Sequence, residues 1–357
     1  MSADLDMDRV MDFRRTLADN MNAAATVLMM SIGHQTGLFD TMATLDPSTP
    51  AEIADAAGLN ERYVREWLGS MAAAGVVEYH GTADTFSLPA EHAVLTTRAS
   101  GVANMATYMQ FIPLLGQVEE QIIDKFRNGG GIPYPEYAGF HRVMADVSRA
   151  RFDAVLVDHV APLVPGLVDA LERGVELADV GCGSGHAINV LAKAFPHSTF
   201  VGYDFSPEAI ANATAEAEAL GLTNATFEQR DAVTLDESRQ FDFITTFDAV
   251  HDQAHPREMV AAVYRALKPG GFWLCADICA SSHVGENIDH PSAPFFYAVS
   301  CMHCMSVSLA YDGEGLGAMW GVQLARRIFT DAGFDRIEVK TIDLDPSNNY
   351  YVCHKVS

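Results

Sequence analysis

A turn with three alternating glycines constrains the fold of this chain more than any other segment. The glycines are Gly181, Gly183 and Gly185, within the stretch ADVGCGSG at residues 178–185. An apolar run precedes this turn and a helical pattern over residues 184–195 follows it, which predicts a strand, a tight turn and a helix. Glycine permits backbone dihedrals that other residues avoid, and it lets a ligand approach the peptide groups closely. Dinucleotide-binding enzymes share this device, so the turn alone does not identify the ligand.

Acidic residues stand at the ends of the next three predicted strands. Asp204 ends an apolar run nineteen positions beyond Gly185, where an acid can accept hydrogen bonds from both ribose hydroxyls of a nucleoside. Asp231 ends the third run, and Asp248 follows the fourth. Ligands of an open α/β sheet bind beyond the carboxyl ends of its strands. The pattern therefore predicts an α/β fold with a ligand at this edge.

This succession resembles the class I S-adenosylmethionine (SAM)-dependent methyltransferases, and the resemblance covers roughly residues 150–357. Their first motif begins here at Asp179 and contains the three glycines, where the loop wraps the methionine part of the cofactor. Their ribose-binding acid matches Asp204, and the acid that meets the adenine amino group matches Asp231, with Ala232 beside it. The resemblance implies a Rossmann-like, seven-stranded, mainly parallel sheet that binds SAM.

Three further residues are assigned to the donor site or its surroundings. We expect Asp248 near the ammonium group of the cofactor's methionine. Asp252 either shares that role or caps a surface turn. Phe205 follows the ribose-binding acid, and it lies either against the adenine face or in the hydrophobic core.

The composition is that of a globular protein with a strong negative charge. The formal net charge is −24 and the pI is about 4.7. Such a charge repels phosphates, which predicts that no nucleic acid is bound. The longest apolar stretch, residues 23–32, is far shorter than the ~20 residues of a membrane-spanning helix, so no membrane association is expected. The acidic first residues lack the basic start of a secretory signal, which predicts a cytoplasmic location.

Residues 1–100 have the pattern of an α-rich winged-helix domain. A helical run over residues 22–45 is followed by helices at 48–58 and 61–74 and by two short strand candidates, and this order is that of a winged helix. Residues 51–90 contain two basic and six acidic side chains, a net charge of −4, which disfavours DNA binding. We therefore predict a dimerisation domain and a homodimer, as the resemblance to small-molecule O-methyltransferases also implies.

A helical connector and lid is predicted at residues 101–160, ahead of a SAM-binding methyltransferase domain at 161–357. The connector is broken by glycines and proline at residues 129–133. Aromatic residues follow this break and form a candidate lid over a bound substrate. Packing between domains is an equal alternative for each of them: Tyr134, Tyr137, Phe140 and His141.

The candidate catalytic residues are His251 and Asp277. His251 lies just after the fourth strand of the predicted sheet, and its ordinary pKa of about 6.5 suits a general base near neutrality. The string Val-His-Asp resembles the Leu-His-Asp of plant-type O-methyltransferases, whose histidine is the catalytic base and is oriented by an acid that matches Asp277. The chain departs from that pattern at Phe247 and Gln253. The alternative is that His251 caps the following helix or serves a domain interface.

A Cys-x-x-Cys pair lies in residues 281–317, the long segment between a predicted fifth strand, residues 272–276, and the last predicted helix, residues 318–332. The pair is Cys301 and Cys304, with His303 between them. A structural zinc needs four ligands, so no metal site is predicted here. The sulfur-rich, methionine-lined segment also suits a soft acceptor such as a thiol, and S-methylation therefore competes with O-methylation.

The sequence thus predicts a SAM-dependent methyltransferase that acts on the oxygen or sulfur of a small-molecule acceptor and releases S-adenosylhomocysteine (SAH). One alternative is a SAM-responsive winged-helix transcriptional regulator. Another is a cofactor-binding structural protein without turnover.

Overall fold

The computed structural model describes residues 5–235 and 241–356 and divides the chain into two compact units, residues 1–113 and 114–357. The acidic start used above, residues 1–4, lies outside the described residues. The helices that follow residue 113 belong to the second unit. The three-part division with boundaries at 100 and 160 stays a prediction.

The first unit is formed by helices and one small β-ribbon. Its first helix begins at Met7, where the carboxylate of Asp6 accepts two backbone N–H bonds, rather than at the predicted residue 22. The helix ends at Gly37, which adopts the left-handed conformation that favours glycine. The elements of this unit are α1 Met7–Thr36, α2 Leu38–Met42, α3 Pro50–Ala57, α4 Glu61–Ala73, β1 Glu78–His80, β2 Thr85–Ser87 and α5 Ala90–Thr96.

The core of the first unit forms around Trp67 of α4. Its indole N–H donates to the carbonyl of Met29, and its ring packs edge-on against Phe39 at 5.2 Å between centroids. Gly33 of α1 permits this approach, because a Cβ there would lie 2.5 Å from the Trp67 ring. The antiparallel pairing of β1 with β2 completes the predicted winged-helix order of helices and ribbon.

The second unit contains a seven-stranded sheet, as predicted. The strand order is β5-β4-β3-β6-β7-β9-β8, and every pair is parallel except the two that include β9. Buried apolar residues on both faces explain why the central strands are nearly continuous hydrophobic runs. The strands are β3 Glu176–Val180, β4 Thr199–Asp204, β5 Ala225–Gln229, β6 Phe241–Phe247, β7 Leu267–Ile278, β8 Arg336–Ile342 and β9 Asp345–His354.

Further helices precede, separate and follow the strands of this sheet. The first of them, α6 Phe111–Gly116, spans the division between the units. The others are α7 Glu119–Asn128, α8 Phe140–Val155, α9 Leu167–Arg173, α10 His186–Ala194, α11 Pro207–Ala219, α12 Pro256–Ala266, α13 Val284–Asn287, α14 Ala293–Val299, α15 Met305–Ala310 and α16 Gly321–Asp331. The last helix was predicted to begin at residue 318, three residues early.

The long segment between β7 and α16 is helical rather than a loop. A π-helical turn, Ser300–Cys304, connects α14 to α15. The resulting stretch Ala293–Ala310 is long and apolar enough by composition to cross a membrane, a property that core helices of other proteins share.

Candidate active site

The three glycines of the β3–α10 turn all adopt left-handed backbone conformations. The φ angles of Gly181, Gly183 and Gly185 are 76°, 52° and 73°. A Cβ at Gly181 or Gly185 would lie 2.5 Å from a neighbouring side-chain carbon, whereas a Cβ at Gly183 would meet no atom within 4 Å. The outer glycines therefore permit close packing. The middle one faces open space, where a ligand can approach the loop.

Asp204 connects this loop to the end of β4. One carboxylate oxygen accepts the N–H of Gly183 at 2.9 Å, and the other accepts the N–H of Ser206 at 2.9 Å. Burial raises the pKa of Asp204, and these backbone donors oppose that shift. Each carboxylate oxygen has a further lone pair, so Asp204 can accept hydroxyl groups in addition to the two amides.

Asp179 lies buried under the same loop. Its carboxylate accepts the hydroxyl of Thr245 at 2.8 Å. Burial raises the pKa of Asp179 to about 7; the hydrogen bond from Thr245 lowers it, and the charge of Asp204 raises it further. Among the described residues, neither Asp179 nor Asp204 forms an ion pair, and two such neighbouring carboxylates favour a positively charged ligand near them.

Asp248 directly follows β6 with a left-handed backbone, φ 52°. One of its oxygens forms a buried ion pair with Arg151 of α8, at 2.7 Å. Burial raises the pKa of Asp248 and the charge of Arg151 lowers it. Among the described residues, the other oxygen of Asp248 has no hydrogen-bond partner although it is buried.

His251 and Asp277 form a buried pair at the carboxyl edge of the sheet. Nδ1 of His251 lies 2.8 Å from Oδ1 of Asp277. The same oxygen accepts the indole N–H of Trp320 at 3.0 Å and the backbone N–H of Ile278 at 2.8 Å. The histidine is 5% exposed and the aspartate is fully buried. The carboxylate is therefore fixed in place, and it fixes the orientation of the imidazole.

Electrostatics at this pair favour the charged imidazolium. Burial alone lowers the pKa of His251, but the carboxylate of Asp277 and the thiol of Cys304 raise it well above 6.5. The neighbouring Asp252 is also affected: burial raises its pKa to about 7, and the positive charge of His251 opposes that rise. The ordinary histidine pKa assumed from the sequence does not describe His251 in the folded protein.

Four aromatic rings of the predicted lid and the π-helical turn contact one another. The ring of His303 stacks on Phe140 at 3.7 Å and lies edge-on to Tyr134 and Tyr137 at 5.5 Å and 4.6 Å. The hydroxyl of Tyr137 donates to the carbonyl of Met302 at 2.6 Å. These residues join the lid segment to the segment after β7 within the second unit.

Tyr134 lies within electrostatic range of two carboxylates, those of Asp252 and Asp204. Its burial raises the pKa of its hydroxyl well above 10, and the charges of Asp252 and Asp204 raise it further. His141, from the same segment, lies 3.5 Å from the hydroxyl of Ser206, measured from Nε2. The residues of the predicted lid are therefore near Asp204 and Ser206 at the end of β4 and near Asp252 after β6.

The remaining predicted donor-site residues lie along the same edge. Phe205 is 46% exposed, and its ring centroid is 5.9 Å from that of Tyr134. Asp231 is exposed at the end of β5, where its side chain accepts the N–H of Val233, and Ala232 is buried beside it. Neither Asp231 nor Ala232 takes part in the hydrogen bonds that Asp204 and Asp179 form at the glycine loop.

Sequence reasoning missed three residues that hold these groups in place: Arg151, Thr245 and Trp320. Each contact joins residues far apart in the chain, and no local pattern pointed to them.

Two family models match the chain. Residues 24–98 match the Rv2258c-like winged HTH domain, and residues 171–340 match a methyltransferase domain. A curated relative, the phthiotriol/phenolphthiotriol dimycocerosates methyltransferase of Mycobacterium leprae, is 31% identical over 114 residues, which is 32% of this chain and 41% of that protein. The chain spans about half the length of the curated relatives it matches.

Solved structures extend the likeness of the fold to the whole chain. Human N-acetylserotonin methyltransferase in complex with SAM has a TM-score of 0.71 and 15% identity, with 100% of each chain covered. An O-methyltransferase family protein from Burkholderia thailandensis has a TM-score of 0.66 and 17% identity, with 98% of each chain covered. The chain therefore has a methyltransferase domain that follows an N-terminal winged HTH domain, and its fold is that of these solved methyltransferases.

Proposed function

We propose that this protein transfers a methyl group from SAM to a hydroxyl group of a small molecule. The observation that carries the proposal is the buried pair of His251 and Asp277, at the edge of the sheet where the glycine loop opens. An imidazole fixed by a carboxylate is suited to remove a proton from an acceptor.

The residues present fit the proposed donor. Bound SAM supplies an electrophilic methyl group on a positively charged sulfur. The open space at Gly183 leaves room beside the loop, and Asp204 has lone pairs left for ribose hydroxyls. The unpartnered oxygen of Asp248 is a buried acceptor for an ammonium group. The similar human enzyme was solved in complex with SAM, which supports the same donor here.

In this proposal each side chain of the site has a separate role. His251 takes the proton of the acceptor hydroxyl at Nε2, because Nδ1 is held by Asp277. Asp277 stabilises the imidazolium that forms, and Trp320 keeps the carboxylate in position. General-base assistance of this kind contributes typically 10²–10⁴-fold in rate. The aromatic rings of the lid exclude water from the acceptor.

The His251–Asp277 pair favours oxygen over sulfur as the methyl acceptor. A hydroxyl needs a base to become a nucleophile, whereas a thiol has a pKa closer to neutrality and needs little help. The carboxylate of Asp277 is fixed by the N–H groups of Ile278 and Trp320, and it in turn orients His251. A thiol acceptor would not need a base that is oriented in this way.

A screen of acceptors tests this function directly. Purified protein is incubated with SAM and with matched hydroxyl, thiol and amine compounds, and released SAH is measured. His251→Asn is expected to lower the rate with a hydroxyl acceptor by roughly 10²–10⁴-fold. His255→Asn, an exposed histidine four residues away, is the matched control and is expected to retain the rate. Equal rates in the His251 variant and the parent protein would favour a role without base catalysis.

The alternative of a SAM-responsive regulator is disfavoured by the charges of α4. Its two arginines are already paired within the helix, Arg62 with Glu66 at 2.6 Å and Arg65 with Glu61 at 2.5 Å. Phosphate contacts by unpaired basic residues supply most DNA affinity. Salt-dependent, nanomolar binding of this protein to its own promoter would support the regulator instead.

We also propose a homodimer and a cytoplasmic location. Helix α1 exposes a row of large apolar side chains at helical spacing, which a second copy of the chain can cover. Its members are Val10, Phe13, Leu17, Met21, Leu28 and Ile32. The six cysteines of the chain are free thiols, as expected in a reducing compartment, and this supports the proposed location.

A further inference from the structure

A buried histidine joins three helices at the point where the glycine loop ends. His186 is the first residue of α10 and directly follows Gly185. Its Nδ1 lies 3.0 Å and 3.1 Å from the two carboxylate oxygens of Glu216 on α11. Its Nε2 lies 2.9 Å from a carboxylate oxygen of Asp153 on α8. The imidazole therefore connects α8 and α11 across the start of α10.

The partners of this ring require that it is charged. A carboxylate only accepts hydrogen bonds, and a neutral imidazole donates through one nitrogen alone. Burial raises the pKa of Glu216, but hydrogen bonds from His186 and Asn189 oppose this rise. Together with the charge of His186 and a hydrogen bond from Arg149 of α8, they lower this pKa to about 2. Since Glu216 and Asp153 both accept, the two nitrogens of His186 both donate, which only the imidazolium can do.

The two carboxylates hold the ring with different firmness. Helix α11 is packed directly against the loop, because a Cβ at Gly185 would lie 2.5 Å from the Cβ of Ala213. Glu216 follows Ala213 by one helical turn, so its contact with His186 is fixed by this packing. Asp153 is on the solvent side, with 58% of its side chain exposed. The contact between His186 and Asp153 is therefore the one that a change of charge can release.

Helix α8 contacts the proposed donor site at two other points. Near its start, Nε2 of His141 lies 3.5 Å from the hydroxyl of Ser206, which follows β4. Near its end, Arg151 pairs with Asp248 after β6 at 2.7 Å. His186 adds a third contact, at the end of the glycine loop. The position of α8 at this edge of the sheet therefore depends in part on the charge of His186.

We propose that His186 is a positioning residue of the donor site, whose imidazolium holds α8 against the start of α10. When Nε2 loses its proton to solvent, it presents a lone pair to the carboxylate of Asp153, and attraction changes to repulsion. The contact with Glu216 remains, because Nδ1 keeps its hydrogen. The contact between α8 and α10 therefore weakens as the pH rises, and donor binding weakens with it. This inference rests on the proposed placement of SAM beside the glycine loop.

The affinity for SAH at two pH values tests this role. Full-length Asp153→Ala, which removes the exposed partner, is compared with the parent protein by calorimetry at pH 6 and pH 9. At pH 6 the variant should bind SAH about two- to fivefold more weakly, the effect of one partly exposed ion pair. At pH 9 it should bind at least as tightly as the parent protein, because the repulsion is removed too. Equal weakening at both pH values would show a structural contact alone and overturn the proposal.

A control on the same helix separates this contact from a general change of charge. Asp146→Ala removes a carboxylate of α8 that pairs with Arg142 within the helix, at 3.9 Å. It should leave the affinity for SAH unchanged at both pH values. Thermal unfolding of all variants in the same buffers shows that they are folded. A pH-dependent loss in Asp146→Ala that equals the loss in Asp153→Ala would contradict a specific role of His186.

A second variant connects the pH dependence to the ring itself. His186→Gln carries no charge at any pH, so adding Asp153→Ala to it should change the affinity for SAH equally at pH 6 and pH 9. A pH-dependent effect of Asp153→Ala that persists in this background would refute the assignment of His186. Absence of SAH binding by the parent protein would contradict the donor site and this coupling together. Binding without a pH-dependent difference between parent and variant would contradict the coupling alone.

Discussion

Nδ1 of His251 and Oδ1 of Asp277 lie 2.8 Å apart, although the residues are separated by 26 positions in the chain. The carboxylate raises the pKa of His251, and a base must be neutral to accept a proton. The methylation rate should therefore increase as the pH rises through this raised pKa. Asp277→Asn removes the raising charge and leaves burial, which lowers the pKa. We expect the half-maximal pH of kcat/KM to fall by roughly one unit or more, with a lower maximal rate.

The pH profile distinguishes this role from a structural one. A variant that is merely less stable loses rate at every pH without moving the midpoint. The measurement is SAH release from pH 6 to 10 for the parent protein and Asp277→Asn, with thermal unfolding followed in the same buffers. A midpoint that stays in place would show that Asp277 does not set the protonation of His251.

Asp204→Asn tests the donor site. The amide oxygen can still accept the N–H of Gly183, but the charge that favours ribose hydroxyls is lost. Charged hydrogen bonds contribute ~1.5–3 kcal/mol, so SAH should bind roughly 10–100-fold more weakly by calorimetry. Glu258→Gln removes one exposed negative charge from α12 and is the matched control. Equal weakening in both variants would point to net charge rather than to a ribose contact.

The elements of the sheet and the acids at its edge were predictable because each depends on local sequence. The glycine turn, Asp204 and Asp248 follow apolar runs at the ends of strands, as the structure has them. Trp320 and Arg151 were not predictable, because their contacts depend on how distant helices pack on the sheet. The start of α1 was misplaced because charged residues interrupt the apolar pattern before residue 22, in a stretch that buries no side chain.

The glycine loop predicts two different outcomes for the same substitution. Gly183→Ala places a methyl group in open space, so its cost is the left-handed backbone alone, ~1–2 kcal/mol. In Gly185→Ala the methyl group also lies 2.5 Å from carbons of Ala213 and Phe227, and overpacking adds ~1–3 kcal/mol. Urea unfolding should rank Gly185→Ala as the less stable variant. Calorimetry should show that Gly183→Ala folds but binds SAH weakly; unimpaired binding would place the donor elsewhere.

The buried carboxyl of Asp179 predicts how stability depends on pH. Its pKa is about 7 in the folded protein and about 3.9 in an unfolded chain. The folded state therefore binds more protons between these values, and this group's contribution to stability decreases as the pH rises from 4 to 7. Asp179→Asn removes the ionisable group and therefore this loss. The stability of the unliganded variant relative to the parent protein should be greater at pH 8 than at pH 4, by up to about 4 kcal/mol. Urea unfolding of both proteins at both pH values measures this difference, and the same effect of the substitution at pH 4 and pH 8 would contradict the raised pKa.

The row of exposed apolar side chains on α1 predicts a dimer, and negative charges introduced into this row should dissociate it. One chain has a mass of 38.7 kDa, and light scattering after size exclusion should give twice that value. Phe13→Glu combined with Leu17→Glu places two carboxylates in the row, where burial against a second copy would be costly, and should give monomers. Arg15→Glu, on the opposite side of the helix, is the control and should leave the dimer intact. Because α1 buries few side chains, far-UV circular dichroism should stay unchanged in all three proteins. A monomeric parent protein, or a double variant that still dimerises, would rule out this row as the interface.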